Sequence, residues 1–459
     1  MRTSARHVLL MAGALLGMLT YQSVGPWSDS LSVLANEGNG YAKGHLKSHG
    51  HNRFFDDEFK FNHGHFHFSM RGPHFKQRSN PFINVKSDPY KAKGDGVTDD
   101  TNAIQTAAND AMAEHKFLFF PAGDYLHAGT LTFNSIAATG VGSPTRLIAN
   151  NEESSAVILT GSNVSLENMI VSTQGLVDNN ETTPSLSEGN VVVENAANFA
   201  VANATILQGT NEIGVYVFNS SVGTVTSNMF DGTGTAGDTG VLIDQAADVS
   251  VVSNGFQFED IGVNVSPNGT ASQTIAINSN AIGNSTFTTG TAGIEASGAT
   301  TVEISMNSIY MANDTTSTAA ILLSNDDNIF VSQNSTFNGI NGVSLSGTGA
   351  TNSNAVSQNM IQGCGAAGIF LVNGATTDIQ LASNTFGECG LTDSGLSTNN
   401  AVILVTGNSA SGNTTFIENN VYQGHNNGLT SYITSAFHIP GANVSGNTQS
   451  QTTLPNNIP

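Results

Sequence analysis

Asp231, Asp238, Glu259 and Asp260 are the acids that a hydrolytic reaction in this chain would draw on. An asparagine followed two residues later by an apolar residue recurs along the sequence, and these acids gather around two copies of it. Asp231 stands three residues after Asn228, and Glu259 and Asp260 stand five and six after Asn254. Asp238 follows the insertion Gly232-Thr-Gly-Thr-Ala-Gly237, which is long enough to fold over a cleft. Carboxyl pairs on neighbouring repeats can reach the roughly 5–9.5 Å separations at which one donates a proton while the other attacks or activates water. The same acids also suit solvated Asp/Gly turns that do no chemistry. Asp326-Asp327 and the Asp244/Asp248 pair fit the turn reading better.

Other reactive groups are sparse. His425, in Gln423-Gly-His-Asn-Asn-Gly428, lies about six repeats from Glu259, hence roughly 30 Å away along a stacked axis, and with His438 is read as structural. Seven of the 12 histidines fall between residues 37 and 80, where His63-Gly-His65-Phe-His67 alternates as a strand would. Three imidazoles on one side could ligate a transition metal. No carboxylate or cysteine accompanies them at metal-site spacing, so the stretch is read as a low-complexity linker and no metal is assigned. Acid chemistry requires no cofactor; Ca²⁺ enters only if an acidic polysaccharide must be bridged by carboxylate and carbonyl oxygens. Aromatic residues that stack sugar rings are few. After Arg146 the tyrosines are Tyr216, Tyr310, Tyr422 and Tyr432, and most phenylalanines fall at strand positions expected to face a core.

The charge distribution narrows the partners. All 14 Lys and Arg residues lie between Arg2 and Arg146, together with 12 of the 35 acids, so the first 146 residues carry +2 and the remaining 313 carry −23. Such a surface repels polyanions over a Debye length. Nucleic acid is excluded as a ligand of the body, because phosphate binding depends on Lys and Arg. The oligomeric state is not legible.

These side chains need a scaffold, and the repeat supplies it. The recurring asparagines are Asn168, Asn203, Asn228, Asn254, Asn280, Asn307, Asn334, Asn359, Asn384 and Asn419, with intervals of 25 to 27 residues from Asn203 to Asn384. Short β-branched runs such as Val241-Leu-Ile243 and Ile369-Phe-Leu-Val372 lie between them. Self-similarity at this period signals stacked coils, none of which buries its apolar face alone. The prediction is an all-β, single-stranded right-handed parallel β-helix of about ten coils of roughly 26 residues. Stacked asparagines can also bond to one another along the axis. Cys364 and Cys389 each lie five residues after a repeat asparagine, one above the other, so a disulfide is expected in an exported chain.

Ahead of the repeats, Phe82-Ile-Asn-Val85 reads as a strand and Ile104, Ala108, Ala111 and Met112 recur at helical spacing. Asp99 and Asp100 offer oxygens to cap that helix. The stretch Ala92-Lys-Gly-Asp-Gly-Val-Thr-Asp-Asp-Thr-Asn-Ala-Ile-Gln105, followed by Phe120-Pro-Ala-Gly-Asp-Tyr125, resembles the entry motif of the pectate lyase superfamily, the rhamnogalacturonase and epimerase type included. The resemblance covers residues 83–148 and implies a capping α-helix and the first coils of the β-helix, with polysaccharide as the partner. The polygalacturonase set (Asn-Thr-Asp, a paired Asp, Gly-His-Gly and Arg-x-Lys) and the epimerase Asp-Pro-His-Asp are missing, and no base of the pectate lyase kind exists beyond Arg146.

The apolar run from Val8 to Leu19, after Arg2 and Arg6, reads as an export signal. An uncleaved anchor is the alternative. The expected organisation is therefore a signal peptide over 1–35, a linker over 36–80 and the β-helix over 81–459. Secretion, display at the cell surface or residence in the periplasm follows. Two functions fit: a carbohydrate-active protein using the four acids, hydrolase rather than lyase, or a non-catalytic surface, matrix or adhesin-like β-helix.

Overall fold

The computed structural model describes residues 80–150, 155–173, 189–234, 236–266, 271–283, 290–311, 318–347, 354–372, 379–387, 389, 401–406, 416–422, 431–435, 443–449 and 456–457, together with the backbone of four short strands before residue 80. The chain divides into two units, Met1–Ser79 and Asn80–Pro459. In the first, Val33–Ala35, Tyr41–Gly44, Asp57–Asn62 and His65–His67 pair antiparallel in sequence order. His425 and His438 lie outside the described residues.

The second unit is a right-handed parallel β-helix. One coil shows the plan. Ile213–Phe218 lies on a first face, Ser221–Thr226 on a second and Met229–Asp231 on a third, and Thr239–Asp244 then returns to the first face one coil further along. All pairing between successive coils is parallel, as in Val215↔Val241↔Val263 on the first face and Phe230↔Phe256 on the third. The third face alone forms a 14-stranded sheet. Alternation along each strand sends one set of side chains inward. Val225, Val251, Ile277 and Ile304 stack from the second face against Val215, Val241, Val263 and Ile294 from the first, all of them buried.

Room for the third-face side chains is made by a glycine in the second position of the first-face strands. A Cβ at Gly240 would lie 2.4 Å from Phe256, and one at Gly368 2.4 Å from Phe386. The rings that fill this space stack in turn, Phe230 on Phe256 with centroids 4.7 Å apart and planes 5° apart.

The corner between second and third faces is closed by asparagines. In Asn280, Oδ1 accepts from the main-chain N (2.9 Å) and Nδ2 (3.1 Å) of Asn254, while Nδ2 donates to Val251 O (2.9 Å) and to Asn307 Oδ1 (3.0 Å). The same pattern runs through Asn228, Asn254, Asn280, Asn307, Asn334, Asn359, Asn384, Asn420 and Asn447. Three asparagines of the sequence pattern sit elsewhere. Asn168, Asn203 and Asn419 have φ of 57°, 52° and 54° and occupy left-handed corner positions, which asparagine tolerates better than most residues. Beside Asn203 the ladder position holds Ala204, whose N donates to Asn228 Oδ1.

The N-terminal end is covered by helix α1 (Thr101–Glu114), which buries Ile104, Ala107, Ala108 and Ala111. Its start departs from the sequence expectation. Asp99 Oδ1 accepts from Thr101 N at 3.0 Å, but Asp100 turns back to accept from Lys93 N (2.7 Å) and Gly94 N (2.8 Å) and makes no side-chain cap. Further along, Cys364 and Cys389 form a disulfide between adjacent coils with Cα atoms 4.4 Å apart, both buried.

Replacing Asn280 by alanine strands the main-chain N of Asn254 and the carbonyl of Val251 in the interior. We expect a loss of about 2–4 kcal/mol in a urea titration. Asn447→Ala, at the half-exposed end of the ladder, should cost clearly less in the same experiment.

Candidate functional site

Among the described residues, the turns that lead from the third face back to the first stack on one another. Backbone bonds tie them: Gln208 N to Asp231 O at 3.0 Å, Thr239 N to Glu212 O at 2.9 Å, Asp260 N to Asp238 O at 2.9 Å and Thr291 N to Asp260 O at 2.9 Å. All four acids singled out in the sequence lie in or beside this stack, and they do not serve alike.

Asp238 is fully buried and both its oxygens are engaged. Oδ1 accepts from Asn211 N at 2.6 Å, and Oδ2 accepts from Thr233 N at 2.8 Å and Thr233 Oγ1 at 2.7 Å. It fastens the inserted loop 232–238 to the turn of the preceding coil. Asp260 does the same one coil on, accepting at Oδ1 from Thr291 N (2.8 Å) and Oγ1 (2.9 Å) and at Oδ2 from Gly237 N (3.0 Å). Asp231 closes its third-face strand and is half-buried. Glu259 is buried, with Oε2 accepting from Gln208 Nε2 at 3.3 Å and Oε1 without a hydrogen-bond partner. Gly232 makes space for it, since a Cβ there would lie 3.0 Å from Glu259 Oε2 and 2.4 Å from Phe258 O.

Two further residues complete the cluster and were not singled out by the sequence. Glu212, buried, accepts at Oε2 from Thr173 Oγ1 (2.6 Å) and Gly209 N, and its Oε1 has no partner. Gln208 donates from Nε2 to Glu212 O at 3.0 Å and Thr239 O at 3.2 Å as well as to Glu259. No cationic side chain balances these carboxyls. The described ion pairs, Lys91–Asp88, Lys116–Glu114 and Arg146–Asp124, all lie in the first coils and their cap, and the sequence beyond Arg146 has no Lys or Arg. Burial, reinforced by Asp238 and Asp231, therefore holds Glu259 well above the ordinary carboxyl range. Burial likewise pushes Glu212 up to about 7. Among the described residues, no group of three or more His, Cys, Asp or Glu has the arrangement of a metal site.

Beside Glu259 the turn stack opens into a small pocket lined by Glu259, Asp260, Gly283, Gly290, Tyr310 and Met311, among others. Tyr310 is 39% exposed and stacks on Phe337 of the next coil, with centroids 4.4 Å apart and planes 10° apart. This aromatic surface corrects the sequence expectation of inward-facing rings. Tyr310 and Phe337 each stand three residues after a ladder asparagine, as Asp231 does, so they extend one outward column with Gln257 and Gln362.

A family model described as rhamnogalacturonase A/epimerase, pectate lyase-like, matches residues 82–291. No curated protein sequence matches the chain. Among solved structures, the pre-mature gene product 12 of bacteriophage phi29 aligns with a TM-score of 0.58 at 14% identity, over 80% of this chain and 55% of that one. This chain therefore spans about half of that protein. The tailspike of Pseudomonas phage phi297 aligns with a TM-score of 0.53 at 13% identity over 82% and 76% of the two chains. For the Dettilon tailspike protein the values are 0.51, 15%, 78% and 68%. At these identities the likeness is one of fold.

The buried acids make stability depend on pH in a defined direction. Glu212 and Asp326, the latter held by Ala299 N and Ser324 N, both titrate near 7 in the folded chain, above their ordinary values of 4.5 and 3.8. The folded state therefore binds more protons than the unfolded state between about pH 4 and pH 7, and stability is lost as pH rises through that window. Unfolding midpoints measured from pH 5 to pH 8 should fall, with Glu212 contributing on the order of 2 kcal/mol. Glu212→Gln should flatten that part of the slope.

Proposed function

We propose that this chain, a parallel β-helix of the pectate lyase-like type whose residues 82–291 match the rhamnogalacturonase A/epimerase family model, is a secreted or surface-displayed carbohydrate-active protein that seats a polysaccharide along the turns between its third and first faces. The observation that carries this reading is exposed Tyr310, stacked on half-buried Phe337 beside a pocket lined by Glu259 and Asp260. A sugar ring offers an apolar face to an aromatic surface and hydroxyl groups to carboxyl oxygens, and a site for it combines the two. Export rests on the apolar run after Arg2 and Arg6 and suits a chain with a disulfide.

The chemistry this site suits is hydrolysis. Glu259, kept neutral by burial and by neighbouring acids, has a proton to donate to a leaving oxygen. Its Oε1 is buried without a hydrogen-bond partner in the chain. Asp231, half-buried one coil away, is the second carboxyl of the pair. Asp238 and Asp260 support these two by holding the turns in place, and no cofactor enters the step. A lyase would need a base stronger than a carboxylate, and no Lys or Arg follows Arg146.

One observation favours a second reading, a β-helix that binds or builds without turnover. Two of the four acids, Asp238 and Asp260, have both oxygens committed to backbone and threonine donors, as structural ties do.

The two readings separate in a screen of the purified chain against neutral and acidic polysaccharides, with Ca²⁺ and with a chelator. The hydrolytic reading expects new reducing ends without ultraviolet-absorbing unsaturated product, unchanged by chelation. Glu259→Gln copies the neutral form of the acid, so it should cut turnover at least 100-fold while leaving the melting temperature within about 2 °C. Binding without turnover would establish the second reading, and unsaturated product would overturn the hydrolytic one.

A further inference from the structure

The pocket beside Glu259 is too small for a sugar ring and suited to one of its substituents. Its walls are backbone: Gly262, Gly283, Gly290 and Gly293 line it with Asp260 and Met311. Gly283 has φ +77° and a Cβ there would lie 2.1 Å from Tyr310 O, so it must be glycine. Gly290 differs. A Cβ at Gly290 would meet Met311 Cε at 3.6 Å, Asp260 O at 3.7 Å and Glu259 O at 3.9 Å, which is ordinary contact. Glycine at 290 is therefore not demanded by packing, and what it leaves open is the notch itself.

The electrostatic setting of that notch is one-sided. Asp260 lines it, Glu295 is close enough to be affected by Asp260, and Asp231 and Asp238 both act on Glu259. Nothing beyond Arg146 supplies a positive side chain in return. Glu259 lends the notch its main-chain carbonyl, 3.9 Å from a Cβ at Gly290, while its carboxyl is buried against Gln208 and Gly232 of the preceding coils. A carboxyl-bearing sugar would be repelled here, and a neutral one would leave the acids unbalanced. A protonated primary amine brings the missing charge and up to three donors on a group small enough to enter.

Resting on the carbohydrate reading above, we infer that the preferred ligand is a glycan of amino sugars with free amines, its ring lying over Tyr310 and its ammonium entering the notch at Gly290 against Asp260. The acidic surface of the body adds long-range attraction for such a cationic polymer, while the notch supplies selectivity. An N-acetyl group would be both uncharged and too large for it.

The test is calorimetric titration of the full chain with three tetrasaccharides: of glucosamine, of N-acetylglucosamine and of glucose. The glucosamine tetramer should bind at least tenfold more tightly than the other two and lose affinity as salt rises. Gly290→Ala, which fills the notch without changing charge, should weaken it about tenfold, and Asp260→Asn should do so as well. Equal binding of the acetylated or glucose tetramer would overturn the amine assignment and leave the carbohydrate reading standing. Glucosamine binding that Gly290→Ala leaves untouched would also overturn it, since attraction to the acidic surface at large would then suffice. If none of the three binds, the assignment falls, and the polysaccharide screen decides the broader reading separately.

Discussion

Among the described residues a single run of side-chain bonds from Asn228 to Asn447 links nine successive corners, and the geometry of everything outside it follows. Between the ends of the run each asparagine has its carbonyl oxygen filled from the coil before and its amide nitrogen shared between a main-chain carbonyl of that coil and the asparagine of the coil after, so its polar groups are paired in the interior. The bond also fixes where each third-face strand begins. A side chain three residues past the ladder must then point outward in one column, whatever its chemistry. Asp231, Gln257, Tyr310, Phe337 and Gln362 share that column because the ladder has counted them into register.

A second constraint is the lack of any cation beyond Arg146. An interior carboxylate in such a body has two ways to exist: it can collect backbone donors or it can keep its proton. Asp238, buried, and Asp260, half-buried, are each engaged by three donors. Glu259 and Glu212 lean on the second, each retaining one oxygen with no partner. The division sorts the acids by how their oxygens are engaged, all within one stack of turns. Exposed Tyr310, stacked on Phe337, lies where that stack meets the third face, beside the pocket lined by Glu259 and Asp260.

Much of this was legible in the sequence. The period of 25 to 27 residues and the matching positions of Cys364 and Cys389 gave the coil and its stacking, because a parallel β-helix converts equal spacing into vertical alignment. The acids could be grouped by the same count. The roles of Asp238 and Asp260 could not, because they depend on which backbone amides the turns present, and turn lengths vary from coil to coil. Glu212 and Gln208 escaped for that reason too, lying nine and five residues past Asn203, which is itself a corner residue with its neighbour Ala204 at the ladder position. Tyr310 and Phe337 were within reach, since both stand at the third place after their asparagines. The Asn419-Asn420 doublet shows the limit of counting: both fit the pattern, and only the left-handed φ at Asn419 assigns the ladder to Asn420.

The central claim is that the glycan lies on the turn stack around Glu259 and Tyr310, and hydrogen–deuterium exchange on the full chain, with and without saturating glucosamine tetramer, tests it most directly. The account predicts slowed exchange confined to peptides covering residues 257–262, 282–283, 290–293 and 308–311, the segments that line the notch and its aromatic edge. Protection appearing instead on the outer second face, or at the helix-capped end around Thr101–Glu114, would contradict it.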